Sequence, residues 1–203
     1  MLQLASISYQ GPPFSEASVV VPRLPPVLAA LLRDVNGFVQ FGGGLHVRGI
    51  CAAPTWHSLE EVWLGRLAIH RHYPAVLESD VPFAQDCVAD QFFLRSDVVF
   101  KLFAETGEIE SLDLGLLEFL RSAQDDPAIY LDMQPLLELQ RLGGRLVPGE
   151  VVHVYPPFCT AESAEGVSVR AVPIPEALSF LADFASQIGG LSDGAMFKVQ
   201  VIP

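Results

Sequence analysis

Four short strand-like segments follow one another closely between residues 81 and 114, and this run constrains the fold more than any other feature. The segments read VPFAQD, DQFFLR, VVFKLFA and EIESLDL. The last three are separated by the turn-forming pairs Ser96-Asp97 and Thr106-Gly107. Connections this short cannot hold the crossover helix that parallel neighbours need, whereas antiparallel strands require only a turn. The run therefore predicts an antiparallel meander.

Helical and strand-like patterns flank this meander in blocks. Before it we expect a first strand within residues 2–9, a helix over 22–36, two strands around the Gly42-Gly43-Gly44 turn, and a helix from the capping box Ser58-Leu59-Glu60-Glu61 into the low seventies. After it we expect helices over 114–123, from Pro135 to Gly143, and over 175–188, and strands at EVVHVY, VSVRAV and MFKVQVI. Blocks of strands and helices, without strict alternation, favour the α+β class.

The chain has 203 residues, between the sizes usual for one domain and for two. We expect a core formed by residues 1–126, including an N-terminal strand, and an α/β extension formed by residues 127–203. The extension is expected to pack on the core, so that both form one domain.

The net charge of −12 disfavours nucleic acid as a partner, because neutralising phosphates requires clustered Lys and Arg. The acids are concentrated: residues 78–126 contain 12 acidic and 3 basic side chains, which gives −9 for that stretch alone. Such an excess either keeps the protein soluble or attracts a basic protein partner and speeds its association. Charge alone does not separate these two interpretations.

The apolar runs are too short for a membrane helix, and the first residues lack the basic and apolar pattern of a secretion signal. Cys51, Cys87 and Cys159 lie far apart, which argues against a disulfide framework and a structural zinc site. We therefore expect a cytoplasmic protein with reduced thiols and without membrane contact.

Several possible reaction centres have weak support in the sequence. Gly42-Gly43-Gly44 lacks the spacing of a phosphate-binding loop, His70 and His72 point to different faces of a helix, and no cysteine stands in a nucleophile signature. Asp86 and Asp90 could act as an acid–base pair or bind a divalent cation, although aspartates in such a connection more often stabilise the turn. We expect no catalytic residues, no metal and no cofactor.

The acid-rich segment also carries a pattern of short motifs. The pattern has an apolar–Pro–apolar opening, an acidic loop with Gly-Asp before an aromatic strand, a further strand, a turn, and a closing helix. The corresponding residues here are Val81-Pro82-Phe83, Ala89-Asp90 before Phe92 and Leu94, Val98 to Leu102, Glu105-Thr106-Gly107, and Phe119-Leu120. Upstream, Leu24-Pro25 leads a helix into Asn36-Gly37. This pattern, over about residues 24–122, resembles the SUKH superfamily, which contains the yeast cell-wall-assembly regulator domain and many bacterial immunity proteins. The chain departs from it at Ala89, where the family has Gly, and in residues 127–203, which extend past the common core.

The resemblance implies an α+β fold with a mostly antiparallel sheet packed by helices. In bacteria it also implies neutralisation of a toxin by direct protein binding, without a catalytic set. We therefore predict a non-enzymatic immunity or inhibitor protein whose partner is a toxin with a basic surface. The predicted contact residues are acids of the meander together with one aromatic anchor: Asp86, Asp90, Glu105, Glu108, Glu110 and Trp56.

Two other functions and one further contact residue remain open at this stage. The chain could be a regulatory scaffold in an assembly, or a metal-dependent hydrolase that uses Asp86 and Asp90. Trp63 is a second aromatic candidate for the contact surface, although its place in a helical apolar stripe favours the core.

Overall fold

A computed structural model describes residues 4–192 and 194–196 of the chain. Its strands are β1 (Ile7–Gln10), β2 (Phe38–Gln40), β3 (Leu45–Val47), β4 (Val81–Asp86), β5 (Gln91–Arg95), β6 (Val98–Leu102), β7 (Ile109–Gly115), β8 (Glu150–Tyr155) and β9 (Ser168–Pro173). Its α-helices are α1 (Pro26–Asp34), α2 (Leu59–Trp63), α3 (Leu116–Asp125), α4 (Pro127–Tyr130), α5 (Gln134–Arg141) and α6 (Ile174–Ile188). None of these helices is long and apolar enough to cross a membrane.

Seven strands form one antiparallel sheet in which spatial order follows chain order, from β1 to β7. The strands β8 and β9 form a separate antiparallel hairpin. The predicted α+β fold with a mostly antiparallel sheet is therefore confirmed. Residues 197–203, which hold most of the predicted strand MFKVQVI, lie outside the described part of the chain.

The helix predicted from Ser58 into the low seventies was wrong in length. The Ser58 hydroxyl accepts a hydrogen bond from the Glu61 amide at 3.4 Å and starts α2 as expected, but the helix ends at Trp63. The Gly65 amide donates to the Glu60 carbonyl at 2.9 Å, and the chain then turns. A Cβ on Gly65 would lie 2.7 Å from the Glu61 carbonyl oxygen, so this tight ending depends on glycine.

Helix α3 packs against the sheet through aromatic rings. The Phe119 ring meets the Phe83 ring edge-on, with 5.7 Å between centroids, and lies 4.7 Å from the Phe92 ring. All three side chains are buried. This packing holds β4 and β5 against α3 and fixes the turn between the two strands, where Asp86 and Asp90 lie.

The C-terminal extension packs on the sheet through the β8–β9 hairpin. The Val152 amide in β8 donates to the carbonyl of Cys87, just after β4, at 2.7 Å. Val151, Val152 and Leu136 belong to the same buried apolar cluster as Phe38 and Phe93 of the sheet. A continuous core thus joins residues 127–192 to the residues before them.

Candidate functional site

The two aspartates of the predicted acid–base pair meet a lysine. The Lys101 Nζ atom in β6 lies 3.3 Å from Asp86 Oδ2 and 3.1 Å from Asp90 Oδ2. A third carboxylate, that of the exposed Asp132, lies 3.5 Å from the same nitrogen. The Asp86 side chain is fully shielded from solvent, so it cannot be part of a contact surface in this conformation.

Asp86 and Asp90 also hold the backbone around them. Asp86 Oδ1 accepts the amides of Val88 and Asp90, each at 3.0 Å, and so fixes the turn between β4 and β5. Asp90 Oδ1 accepts the Ala104 amide at 2.8 Å. Within that turn Ala89 has φ 71°, a left-handed conformation that glycine adopts more easily. This is the position at which the SUKH pattern has glycine.

Burial and neighbouring charge shift the pKa values of this cluster. Burial, together with the charge of Asp90, raises the pKa of Asp86 to about 7, although Lys101 and the Val88 amide act in the opposite direction. Burial alone would lower the pKa of Lys101, but Asp86 and Asp90 outweigh it and hold that pKa above its ordinary value. The ammonium therefore stays charged beside the two aspartates.

This arrangement places a lysine at the centre of the predicted aspartate pair. The Lys101 ammonium occupies the position between the two carboxylates that a divalent cation would need. Within residues 4–192 and 194–196, no group of three or more His, Cys, Asp or Glu side chains is placed to hold a metal ion. The geometry of Asp86 and Asp90 instead fits the structural role of fixing a turn.

An acidic cleft opens beside this cluster, where the loop between β6 and β7 faces the C-terminal extension. Its cavity of about 340 Å³ is of the size that small-ligand pockets have. Carboxylates line one part and apolar side chains the rest: Val88, Asp90, Phe103, Glu105, Thr106, Glu108, Phe158 and Cys159. We refer to these eight residues as the acidic cleft.

Glu105 joins the two walls of the cleft. Its carboxylate oxygens accept the amides of Phe158 and Cys159, each at 3.2 Å. Burial raises the pKa of Glu105, while the two amides act to lower it. Glu105 thus orders the segment after β8 and places the half-exposed Phe158 ring at the cleft, with 49% of the residue accessible.

The predicted contact residues other than the buried Asp86 divide among three places. Asp90, Glu105 and Glu108 line the acidic cleft, whereas the exposed Glu110 is outside it. Trp56 belongs to a different cavity, where its half-buried ring packs against Tyr9, His46 and His57 at centroid distances of 5.0 to 5.4 Å. Trp63 is buried, and its indole N–H donates to the Glu78 carbonyl at 2.9 Å, which confirms the expectation of a core residue.

Sequence reasoning missed the half of the cleft that comes from the extension. Phe158 and Cys159 follow Pro156-Pro157 in a stretch without periodicity, more than 50 residues after Glu105. Their only signal was an aromatic residue directly after a pair of prolines. The backbone hydrogen bonds to Glu105 that bring the two walls together leave no mark in a sequence pattern.

Comparisons with known proteins bear on the fold. No protein family model matches the sequence, and no curated protein matches it. A crystal structure of Atu4351 from Agrobacterium tumefaciens has a similar fold, with a TM-score of 0.50 and 11% sequence identity. The alignment covers 87% of this chain and 85% of that one. At this identity, the similarity concerns the architecture alone.

Proposed function

We propose that this protein is a non-enzymatic inhibitor that binds a toxic protein and occludes it, as an immunity protein does. The acidic cleft is the observation that carries the proposal. It combines carboxylates with the apolar side chains of Phe103 and Phe158, which suits a Lys or Arg side chain of a partner. Such a side chain places its aliphatic part on apolar surface and its charge beside an acid.

Glu108 is the cleft carboxylate best placed to receive that charge. Asp90 already faces Lys101, and Glu105 is engaged by two backbone amides. Glu108 is exposed, and within the described residues it forms no ion pair. Its attraction to a cation is therefore not offset by an internal cation.

Two further observations support this proposal, one for electrostatic attraction and one for the kind of partner. Of the 12 acids between residues 78 and 126, eight are exposed, so most of the local excess of charge faces solvent. A surface of this kind steers a basic partner and raises the association rate most at low salt. The resemblance of residues 24–122 to the SUKH superfamily supports the choice of a toxin as that partner.

The test begins with capture of stoichiometric partners from native cells on the wild-type protein, followed by purification of the protein that is captured. Its association rate is then measured with wild type, Glu108→Lys and the control Asp125→Lys. Both substitutions change the net charge by the same amount at exposed sites, but Asp125 is at the end of α3, outside the cleft. We expect Glu108→Lys to slow association roughly tenfold at low salt and the control to slow it much less.

The inhibitory role is tested separately by producing the captured partner in cells with and without this protein. Inhibition requires that the partner be toxic alone and harmless with wild type. A partner that is not toxic would instead favour a regulatory scaffold. Equal association rates for the two variants would contradict the assignment of the cleft as the contact site.

A further inference from the structure

A row of buried polar side chains crosses the sheet. His46 in β3 pairs with Gln85 in β4, and Gln85 pairs with Gln91 in β5. Arg48 reaches the same row and donates to Gln85 Oε1 at 2.5 Å and to Gln91 Oε1 at 2.6 Å. All four residues are buried. Buried polar groups are costly unless each of them finds a hydrogen-bond partner.

His57 contacts His46 of this row, and the neighbours of the two imidazoles determine which of their nitrogens donate and which accept. The Asn36 carbonyl can only accept, so His57 Nε2, at 3.1 Å, must carry the proton. The Nδ1 atom of a neutral His57 then accepts, and His46 Nε2 donates to it at 2.9 Å. Burial lowers the pKa of both imidazoles and keeps them neutral. His46 Nδ1 is therefore an acceptor that needs a donor.

Gln85 offers a donor that needs an acceptor. Because its Oε1 atom accepts from Arg48, its Nε2 amide group points elsewhere. Within the described residues, neither Gln85 Nε2 nor His46 Nδ1 has a hydrogen-bond partner, and both atoms are shielded from solvent. Each such unpaired buried group is destabilising unless another molecule pairs with it.

Both side chains line one cavity between the sheet and the C-terminal extension. The space open to the centre of a water molecule is about 40 Å³, and Trp56 and the segment from Leu146 to Val151 form other walls. A water molecule needs at least about 10–15 Å³ measured in this way, so two or three fit.

We propose that this cavity is a built hydration site, in which an ordered water molecule accepts from Gln85 Nε2 and donates to His46 Nδ1. The water extends the chain of hydrogen bonds that runs from Asn36 through His57 and His46. It also fills the boundary between the sheet and the extension. Water supplies a donor and an acceptor at once, which the two atoms together require.

The direct test is a high-resolution crystal structure of the full chain, with magnetic relaxation dispersion of water to detect long-lived internal molecules in solution. We expect density within hydrogen-bond distance of both His46 Nδ1 and Gln85 Nε2, and at least one long-lived water. A dry cavity, or a direct hydrogen bond between the two side chains, would overturn the proposal.

A cavity-filling variant separates wet from dry cavities when its stability is measured together with the long-lived internal water. Val39 is buried and lines the cavity, so Val39→Leu displaces its contents, whereas Val19→Leu makes the same change at an exposed site. If water is bound, we expect Val39→Leu to lose the long-lived water and to shift the urea midpoint downwards relative to Val19→Leu. An upward shift of the midpoint would indicate that an empty space had been filled, and would contradict the proposal.

Discussion

Single residues in the interior determine how the stability of this protein depends on pH. Burial shifts the pKa values of several of them in the direction that favours the uncharged form. Burial lowers the pKa of Arg48 to about 9, so the guanidinium remains protonated at neutral pH. Four uncharged oxygens, from Pro82, Ala84, Gln85 and Gln91, surround it. His57 and Asp86, by contrast, change their charge between pH 4 and pH 7, a range in which unfolding can be measured.

His57 makes the fold sensitive to acid. Burial lowers its pKa to about 4, with Arg48 acting in the same direction and the Asn36 carbonyl in the opposite one. The folded pKa is below the unfolded value of about 6.5. The contribution of neutral His57 to stability is therefore complete above pH 6.5 and is lost as the pH falls through 4. We expect His57→Gln to reduce the slope of unfolding free energy against pH in that window by up to about 1.4 kcal/mol per pH unit. Urea titrations measure the slope, and those at pH 8 give the packing cost separately.

Asp86 acts in the opposite direction. Burial raises its pKa to about 7, so its contribution is complete below the unfolded value of about 3.9 and is lost as the pH rises through 7. Asp86→Asn resembles the protonated form and keeps an acceptor for the Val88 and Asp90 amides. We expect the stability of Asp86→Asn relative to wild type to rise from pH 4 to pH 8.

Calorimetry over this range measures the effect of Asp86→Asn. Asp86→Ala serves as the control, since it removes the amide acceptor and should be less stable than Asp86→Asn at every pH. Parallel curves for wild type and Asp86→Asn would refute the prediction. Because the His57 and Asp86 windows overlap with opposite signs, the wild-type curve alone cannot separate them.

At the scale of elements, the sequence predicted what local patterns encode. Alternation and turn residues located β4 to β7, and the Ser58 cap located the start of α2. The early end of α2 was missed because it depends on a close approach at Gly65, which hydrophobic spacing does not report. Within the candidate site, Asp90, Glu105 and Glu108 were predictable as acids. The Lys101 ion pairs and the place of Phe158 were not, because contacts between distant segments determine them.

The junction between α1 and β2 gives an element-scale prediction. Gly37 has φ 74°, and a Cβ there would lie 2.6 Å from the Gly49 nitrogen and 2.7 Å from His57 Cε1. Gly143 has a similar φ of 84°, but a Cβ there would meet nothing within 4 Å. Both alanine variants incur left-handed strain of about 1 kcal/mol, and Gly37→Ala adds an overpacking cost of about 1–3 kcal/mol.

Urea denaturation of the two glycine variants tests this difference. We expect Gly37→Ala to be the less stable variant by the overpacking cost alone. Equal losses of unfolding free energy for Gly37→Ala and Gly143→Ala would contradict the prediction, because they would mean that the backbone around Gly37 shifts to accept a methyl group at no cost.

At the scale of the whole molecule, the extension and the residues before it share one core and one candidate site. Apolar residues from both parts form a continuous cluster. The acidic cleft takes Glu105 from one part and Phe158 from the other. Loss of the extension would therefore remove a wall of the cleft as well as part of the core. The protein should then unfold as a unit, so that damage in the extension is felt throughout the chain.

Adjacent leucines in α5 provide the test of this unity. Leu136 is completely buried, whereas 39% of Leu137 is exposed. We expect Leu136→Ala to cost about 2–5 kcal/mol, as for other buried leucines, and Leu137→Ala to cost less than about 1 kcal/mol. Trp56 lies beside Gly149 of the extension, so the test uses a Trp56→Phe background, in which the fluorescence of Trp63 reports on the residues before 127 while far-ultraviolet circular dichroism reports on all elements. With one cooperative unit, Leu136→Ala shifts both signals to the same lower urea midpoint. A tryptophan transition that stays at the wild-type midpoint would show that the extension unfolds independently.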